Sequence, residues 1–310
     1  MGKRILLLGA TGTIGGAVAL ELSHSDHDLT IATRTKASKK QPGQIDIKEL
    51  SNAIYSIRYD VIISCLSSRT GLPSDAWSVD YNLNVSTLEA AKANGVAQYI
   101  LLSAICVQKP KLEFQRAKLA FEKELIGSGL TYTIIRPTAF FKSLSGQLSR
   151  VQKGKPYLVF GDGRLTACKP ISDGDLARYI VSAIGNPDMR NKVLPIGGSG
   201  PALTPRDIGQ NLGAVLNQEI KVKHVPVRLM RMIAGALGML APFSKRLAEK
   251  AELARIGHYY ATESMLLWNE KTGQYDADAT PEFGTETLDS YLEDLANGTL
   301  TDDRGAHKVF

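Results

Sequence analysis

Apolar residues along this chain fall into two alternating patterns. Short unbroken runs come first: Ile5-Leu6-Leu7-Leu8, Leu29-Thr30-Ile31-Ala32, Asp60-Val61-Ile62-Ile63-Ser64-Cys65-Leu66, Tyr99-Ile100-Leu101-Leu102 and Thr131 to Ile135. Such runs, with little alternation of polar residues, mark strands buried on both faces of a parallel sheet. Between them the spacing becomes helical. Ala17 to Leu22 follows the first run, and a helix is predicted over Ile47 to Ile57 and another over Val79 to Asn94, with Gly95 as its stop. Leu112 to Ile126 carries Phe114, Phe121 and Leu125 on one stripe, with Gly127 just beyond it. Strand, helix, strand, repeated from the N-terminus, predicts an α/β protein with a doubly wound parallel Rossmann sheet.

The regular pattern stops after Arg136-Pro137-Thr138-Ala139-Phe140-Phe141. Gly154, Gly161, Asp162 and Gly163 then mark turns through a segment too varied for a linker, which reads as a smaller substrate lobe. Ser172 to Ile184 is a capped helix, and Val193 to Gly198 adds a last strand to the sheet. Thr204-Pro205-Arg206-Asp207 opens a further helix with cap, proline and acidic first turn in order. Residues 226–265 are helical and partly amphipathic, and Leu300 to Phe310 is polar and loosely held. The predicted division is a nucleotide-binding core over 1–140 and a mainly C-terminal lobe over 141–310, with 171–198 returning to the core.

Composition narrows the class. In 310 residues, 44% hydrophobic and 22% charged content is that of a globular protein whose stability needs no metal or disulfide. Cys65, Cys106 and Cys168 are dispersed and odd in number, which argues against a disulfide framework, a paired zinc knuckle or an all-cysteine iron–sulfur site. The net charge of +6 is scattered, apart from a short cluster from Lys36 to Lys40, and favours small anionic ligands over nucleic acid. Met1-Gly2-Lys3-Arg4 leads directly into a core strand, so no targeting segment is expected and the setting reads as bacterial cytoplasm. Met232 to Phe243, interrupted by Gly235, Gly238 and Pro242, is too short for a membrane span but allows peripheral contact.

The candidate chemistry begins at Gly9-Ala10-Thr11-Gly12-Thr13-Ile14-Gly15, between the first strand and the first helix. In such a loop one glycine permits the turn, another lets the backbone approach a pyrophosphate, and the last allows close helix packing. Gly9, Thr11, Gly12, Thr13, Ile14 and Gly15 are therefore cofactor-binding candidates. The tip after the second strand reads Thr33-Arg34-Thr35-Lys36, with cations where NAD-selective proteins carry an acid. Arg34 and Lys36 suit a 2′-phosphate, so NADPH is expected over NADH. Asp46 reads equally as an adenine contact or a helix cap. Leu66, Ser67 and Ser103, at the carboxyl ends of later strands, are placed beside the cofactor. Lys118 lies within the apolar stripe of its helix, which implies a partner across the fold.

Gly9, Gly12 and Gly15 together with Val79-Asp80-Tyr81 and Arg136-Pro137 resemble the atypical, extended short-chain dehydrogenase/reductase superfamily over roughly the first two-thirds of the chain. Leu102 to Pro110 and Glu113 to Lys118 are similar to the NADPH-dependent divinyl chlorophyllide 8-vinyl reductases. Ala167 to Ser172, Leu194 to Gly198 and Asp276 to Gly284 carry that resemblance nearly end to end. It implies reduction of the 8-vinyl group of a divinyl chlorophyllide or protochlorophyllide to ethyl, in chlorophyll or bacteriochlorophyll synthesis. The superfamily's Tyr-x-x-x-Lys pair reads Phe114-Gln115-Arg116-Ala117-Lys118 here, so the phenol that protonates an alkoxide is missing. Vinyl reduction makes no alkoxide.

By that resemblance Lys118 holds the nicotinamide ribose, Pro137 borders the cofactor and Phe114 is a pocket wall. The macrocycle serves as electron sink after hydride reaches the terminal vinyl carbon. Ser103, Cys106 and ordered water are the proton-donor candidates. Phe140, Phe141 and Tyr157 are expected to wall a slot for the magnesium tetrapyrrole, with Lys142, Arg164 or Lys169 pairing its propionate. Met230, Met232, Met239 and Leu240 either cover the macrocycle or simply pack a helix. Two alternatives stand beside this reading: a non-catalytic NADPH-binding redox sensor of the same fold, and a reductase of a smaller conjugated alkene.

Overall fold

A computed structural model describes residues 2–33, 45–49 and 58–301. Its strands are β1 (Arg4–Leu8), β2 (Asp28–Thr33), β3 (Ile45–Glu49), β4 (Val61–Ser64), β5 (Gln98–Leu102), β6 (Thr131–Pro137), β7 (Tyr157–Phe160), β8 (Lys192–Ile196), β9 (Val222–Val225) and the short antiparallel pair β10 (Leu267–Asn269) and β11 (Gln274–Asp276). Seven of them form one sheet in the order β3-β2-β1-β4-β5-β6-β8, and every pairing in it is parallel.

Successive strand side chains point to opposite faces, and here both faces are covered. Ile5, Leu7, Ile63, Ile100 and Ile135 pack on one side with Ile14, Val18 and Leu22 of α1 (Thr13–Ser23). Leu6, Leu8, Ile62, Tyr99, Leu101 and Ile134 pack on the other. That is why these strands read as unbroken apolar runs. Each such side chain contributes roughly 1.5–3 kcal/mol on full burial.

On the second face lie α2 (Pro73–Ala76), which runs through a π-helical segment, Trp77–Leu83, into α3 (Asn84–Ala93), and then α4 (Glu113–Ile126). The helix predicted from Val79 thus starts earlier and is wound wider at its middle. In the π segment Asp80 is buried, and so is Asn84 just after it, with the Asn84 amide donating to the carbonyls of Val79 and Asp80. Wide turns of this kind often occur at functional sites.

The predicted helix over Ile47 to Ile57 is corrected at its start. Residues 45–49 are strand β3, in parallel register with β2 from Leu29↔Ile45 to Thr33↔Glu49. A neighbouring strand with free edge groups outweighed local propensity. Residues 50–57 lie outside the described residues.

Beyond β6 come the short helices α5 (Phe141–Leu144) and α6 (Leu148–Gln152), then α7 (Asp173–Ser182) and α8 (Pro205–Val215). Leu176, Ala177 and Ile180 of α7 join the cluster containing α1, and β8 pairs with β6. Phe141, Leu148, Tyr157, Val159, Ile208 and Leu212 form a separate core with Leu288, Leu292 and Leu295. The parallel pair β7–β9 in this region is absent from the sequence expectation, because both strands are short and β9 reads Val-Lys-His-Val. The chain continues as a helical hairpin, α9 (Val227–Leu240) and α10 (Lys245–Thr262), and ends its described course after α11 (Leu288–Ala296).

Candidate active site

The sheet order reverses direction between β1 and β4, since β1 is followed on one side by β2 and on the other by β4. Ligands of doubly wound sheets bind in the crevice that opens there. Gly9 has φ +81°, and a Cβ on it would lie 2.5 Å from the Cys65 carbonyl oxygen. A Cβ on Gly15 would lie 2.2 Å from the Gly9 carbonyl oxygen. Those two glycines are required by backbone contact alone. At Gly12, the N-cap of α1, a Cβ would meet only the Gly9 oxygen at 3.4 Å, so its outer side is open. No side chain caps α1, leaving the amides of its first turn for an anion. Thr11 is exposed beside them, and Ile14 is buried beneath them. This cradle fits the pyrophosphate of a dinucleotide.

Across the crevice Leu66 is half-buried and Ser67 exposed at the end of β4. Lys118 reaches them from α4. Its Nζ donates to Asp80 Oδ1 at 2.8 Å and to Ser67 Oγ at 3.2 Å. The Asp80 side chain is fully buried and that of Lys118 is 11% exposed. Oδ1 also accepts the Ser68 amide, at 3.2 Å, while Oδ2 is buried with no hydrogen-bond partner among the described residues. Leu66, Leu102, Ser103 and Lys118 line a small recess here, together with Asp80 and Asn84. An ion pair so placed holds an ammonium group at the crevice.

Ser103 and Cys106 are differently disposed. The Ser103 hydroxyl donates to the buried carboxylate of Glu122, which also accepts from Arg136 Nε at 3.1 Å and from Arg136 Nη2. Cys106 is 3% exposed, and burial pushes its thiol pKa up, so it stays protonated at neutral pH. It shares a cluster with Phe114, Ile256 and Tyr259. The Tyr259 hydroxyl donates to the Cys106 carbonyl at 2.9 Å, which fastens α10 over this wall. Pro137 ends β6, buried, beside Ile196 of β8.

The residues expected to hold a macrocycle are not brought together. Tyr157 is buried in the lobe core against Gly209, and Phe141 is buried beside Tyr291, with ring centroids 5.6 Å apart. Both are consumed by packing. Lys169 is buried and ion-paired with Glu282, so it is no free cation. Phe140 packs against the α1 face of the sheet, and Arg164 is exposed at a turn where its amide donates to Asp162. Lys142 is placed differently again: its Nζ donates to Thr13 Oγ1 at 3.2 Å, at the mouth of the glycine loop. Nearby, burial raises the Asp173 carboxyl to about 6 against the pull of Lys142, with Glu286 adding to the rise. Arg34 and Lys36 lie outside the described residues.

Asp80, Glu122, Arg136 and Tyr259 are site residues that reading the chain did not single out as such. Asp80 carried a signal, its place in the Val79-Asp80-Tyr81 motif. Tyr259 carried none, because more than a hundred residues separate it from Cys106. Among the described residues no cluster of side chains is suited to a metal ion, and no helix is long and apolar enough to cross a membrane.

A sequence profile for NAD(P)H-binding proteins matches residues 9–187, more than half of the chain and the part that builds this crevice. The fold and the site thus define an NAD(P)H-binding protein of the Rossmann class. The chloroplastic divinyl chlorophyllide a 8-vinyl-reductase of Cucumis sativus is 43% identical over 99% of this chain and 79% of its own length. That of Zea mays is 40% identical over 99% of this chain and 82% of its own. The chain belongs to the divinyl chlorophyllide a 8-vinyl-reductase family. In fold it is also similar to a nucleoside-diphosphate-sugar epimerase from Staphylococcus aureus, with a TM-score of 0.65 and 19% identity over 94% of this chain and 99% of that one.

Proposed function

We propose that the protein reduces the 8-vinyl group of a 3,8-divinyl chlorophyllide or protochlorophyllide to ethyl, in chlorophyll or bacteriochlorophyll synthesis. Membership of the family supports the reaction, and one local observation carries it to residues. Phe114 stands, buried, where carbonyl-reducing relatives of this fold place a tyrosine, while Lys118 four residues on is kept at the crevice. The chain retains the group that positions a cofactor and lacks the acid that an alkoxide needs.

NADPH, when bound, supplies the hydride. The glycine loop and the first turn of α1 hold its pyrophosphate, and Lys142 is the neighbouring cation. Lys142 is thereby reassigned from the substrate's propionate to the phosphate side of the site. Lys118 positions the nicotinamide ribose, and Leu66 and Ser67 flank it. Arg34 and Lys36 are the proposed 2′-phosphate partners on sequence grounds. The Ser103 proton is engaged by Glu122, and the Cys106 thiol lies within an apolar cluster. Water entering the crevice is therefore the proton source we favour. Three free cysteines suit a reducing compartment such as the bacterial cytoplasm.

The test is to mix the purified chain with NADPH and divinyl chlorophyllide and follow the visible spectrum. Conversion of the conjugated vinyl to ethyl shifts the Soret band to shorter wavelength. An unshifted band with NADPH demonstrably bound refutes the reading, and a smaller alkene reduced in its place identifies a different reductase.

A further inference from the structure

Away from the crevice, α9 is nearly all surface. Ala234 is its one buried side chain, and the helix rests on α10 along that edge, where a Cβ on Gly257 would meet Met230 Cε at 2.8 Å. The opposite face is apolar and exposed. Leu229, Met232, Ile233, Leu240 and Phe243 follow one another at steps of one to seven residues that all fall on one side of a helix, and Met239 joins them. Exposure reaches 69% at Met232, 75% at Met239 and 84% at Phe243, the last in the turn between the two helices. A continuous apolar stripe of this kind on a globular surface marks an interaction site.

Charge decides what covers it. From Arg228 to Ala248 the sequence contains Arg228, Arg231, Lys245 and Arg246 and no carboxylate, and all four cations are exposed. Arg228 and Arg231 border the stripe along one edge. A second copy of this chain would bring the same cations face to face. A surface that is apolar in depth and anionic at its rim matches both features, and this is the arrangement of a lipid interface with acidic headgroups. The helix is too short and too charged to cross a bilayer, so it would lie in the headgroup plane.

We propose that the outer face of α9, from Leu229 to Phe243, seats the protein on an anionic lipid bilayer. The surface is distinct from the crevice and does not rest on the identity of the reaction. It is nonetheless coupled to the site by one helix: Ile256 and Tyr259 on the inner side of α10 pack with Phe114, so a docked protein holds that wall one helix layer above the membrane. An amphiphilic substrate reaching the crevice from lipid would then not have to cross bulk water.

Flotation of the full chain with vesicles tests the proposal. Phosphatidylglycerol-containing vesicles should carry the protein, with salt weakening the association, and pure phosphatidylcholine vesicles should carry much less. Leu229→Asp with Phe243→Asp, both exposed positions, should lower partitioning at least about tenfold while NADPH binding is retained. Wild-type protein that stays free of anionic vesicles overturns the proposal, as does a variant that floats like the wild type. A wild-type dimer that the same variant converts to monomer also overturns it, by showing that a second copy covers the face.

Discussion

Lys118 and Asp80 form an ion pair with Nζ 2.8 Å from Oδ1, across thirty-eight residues of sequence, with the carboxylate fully buried. Removing one member leaves the other charge without compensation in a low-dielectric site. Lys118→Ala should therefore destabilise the fold by about 3–5 kcal/mol as well as weaken NADPH binding. Asp80→Ala added to Lys118→Ala should recover part of the stability and none of the cofactor affinity. Urea unfolding and NADPH titration of the two variants separate these effects, and a double variant no more stable than the single one would show that the pair is not the reason Asp80 is buried.

Alanine substitutions at Gly12 and Gly15 of the loop and at Gly16 in the first turns of α1 should have three different outcomes. Gly15→Ala puts a Cβ 2.2 Å from the Gly9 carbonyl oxygen, so backbone must move and both stability and NADPH binding should fall. Gly12→Ala meets only the Gly9 oxygen at 3.4 Å, so the fold should hold while the open side needed by a pyrophosphate is obstructed. Gly16→Ala, with Ala10 O at 3.5 Å, should be silent or slightly stabilising, since alanine is the better helix former. Thermal melts and cofactor titration across the series distinguish the three.

Much of this site was legible along the chain for a physical reason. Strands covered on both faces must be apolar throughout, so β1, β4 and β5 announced themselves, and glycines forced by backbone contact announced the loop between β1 and α1. Lys118 stood out because a cation in an apolar stripe needs a partner. What the chain concealed are pairings between distant segments. Tyr157 and Phe141 look like pocket walls in sequence and are lobe core in space, because an aromatic side chain carries no mark of which cavity it fills. Lys169 looked free until Glu282, over a hundred residues away, was placed beside it. The second half of β3, from Ile47, read as the start of a helix because a strand at a sheet edge is specified by its neighbour as much as by its own pattern.

Two carboxyls give acid and mildly acidic pH opposite effects. Burial opposes ionisation of Glu263, but donors from Lys109, Lys111 and Tyr275 outweigh it and hold the group at about 2. An unfolded glutamate titrates near ~4.3, so this stabilisation is fully present above that value and is lost as pH falls through it toward 2. Asp173 is raised to about 6 by burial, so the native state keeps its proton longer than an unfolded aspartate with a pKa of about 3.9. Stability should therefore decline from that group as pH rises from about 4 to 6. Glu263→Gln should flatten the acid limb and Asp173→Asn the upper one, in urea midpoints measured across pH.

Phe114→Tyr restores the Tyr-x-x-x-Lys spacing and tests whether spacing alone makes a carbonyl reductase. The ring at 114 is 8% exposed and packs among Cys106, Ile256 and Tyr259, beneath α10. A hydroxyl introduced there enters an apolar cluster, and if it finds no partner the cost is about 1–3 kcal/mol. A catalytic phenol must instead meet the reacting oxygen at hydrogen-bond distance. The variant should melt at lower temperature, bind NADPH as before through the unaltered Lys118, and gain no oxidation or reduction of sugar nucleotides or simple ketones. Cofactor turnover with such substrates is the decisive measurement. Appreciable turnover would mean that the α10 cover leaves position 114 open to the crevice, and that one side chain, not the wall built around it, is what turned this fold away from carbonyl chemistry.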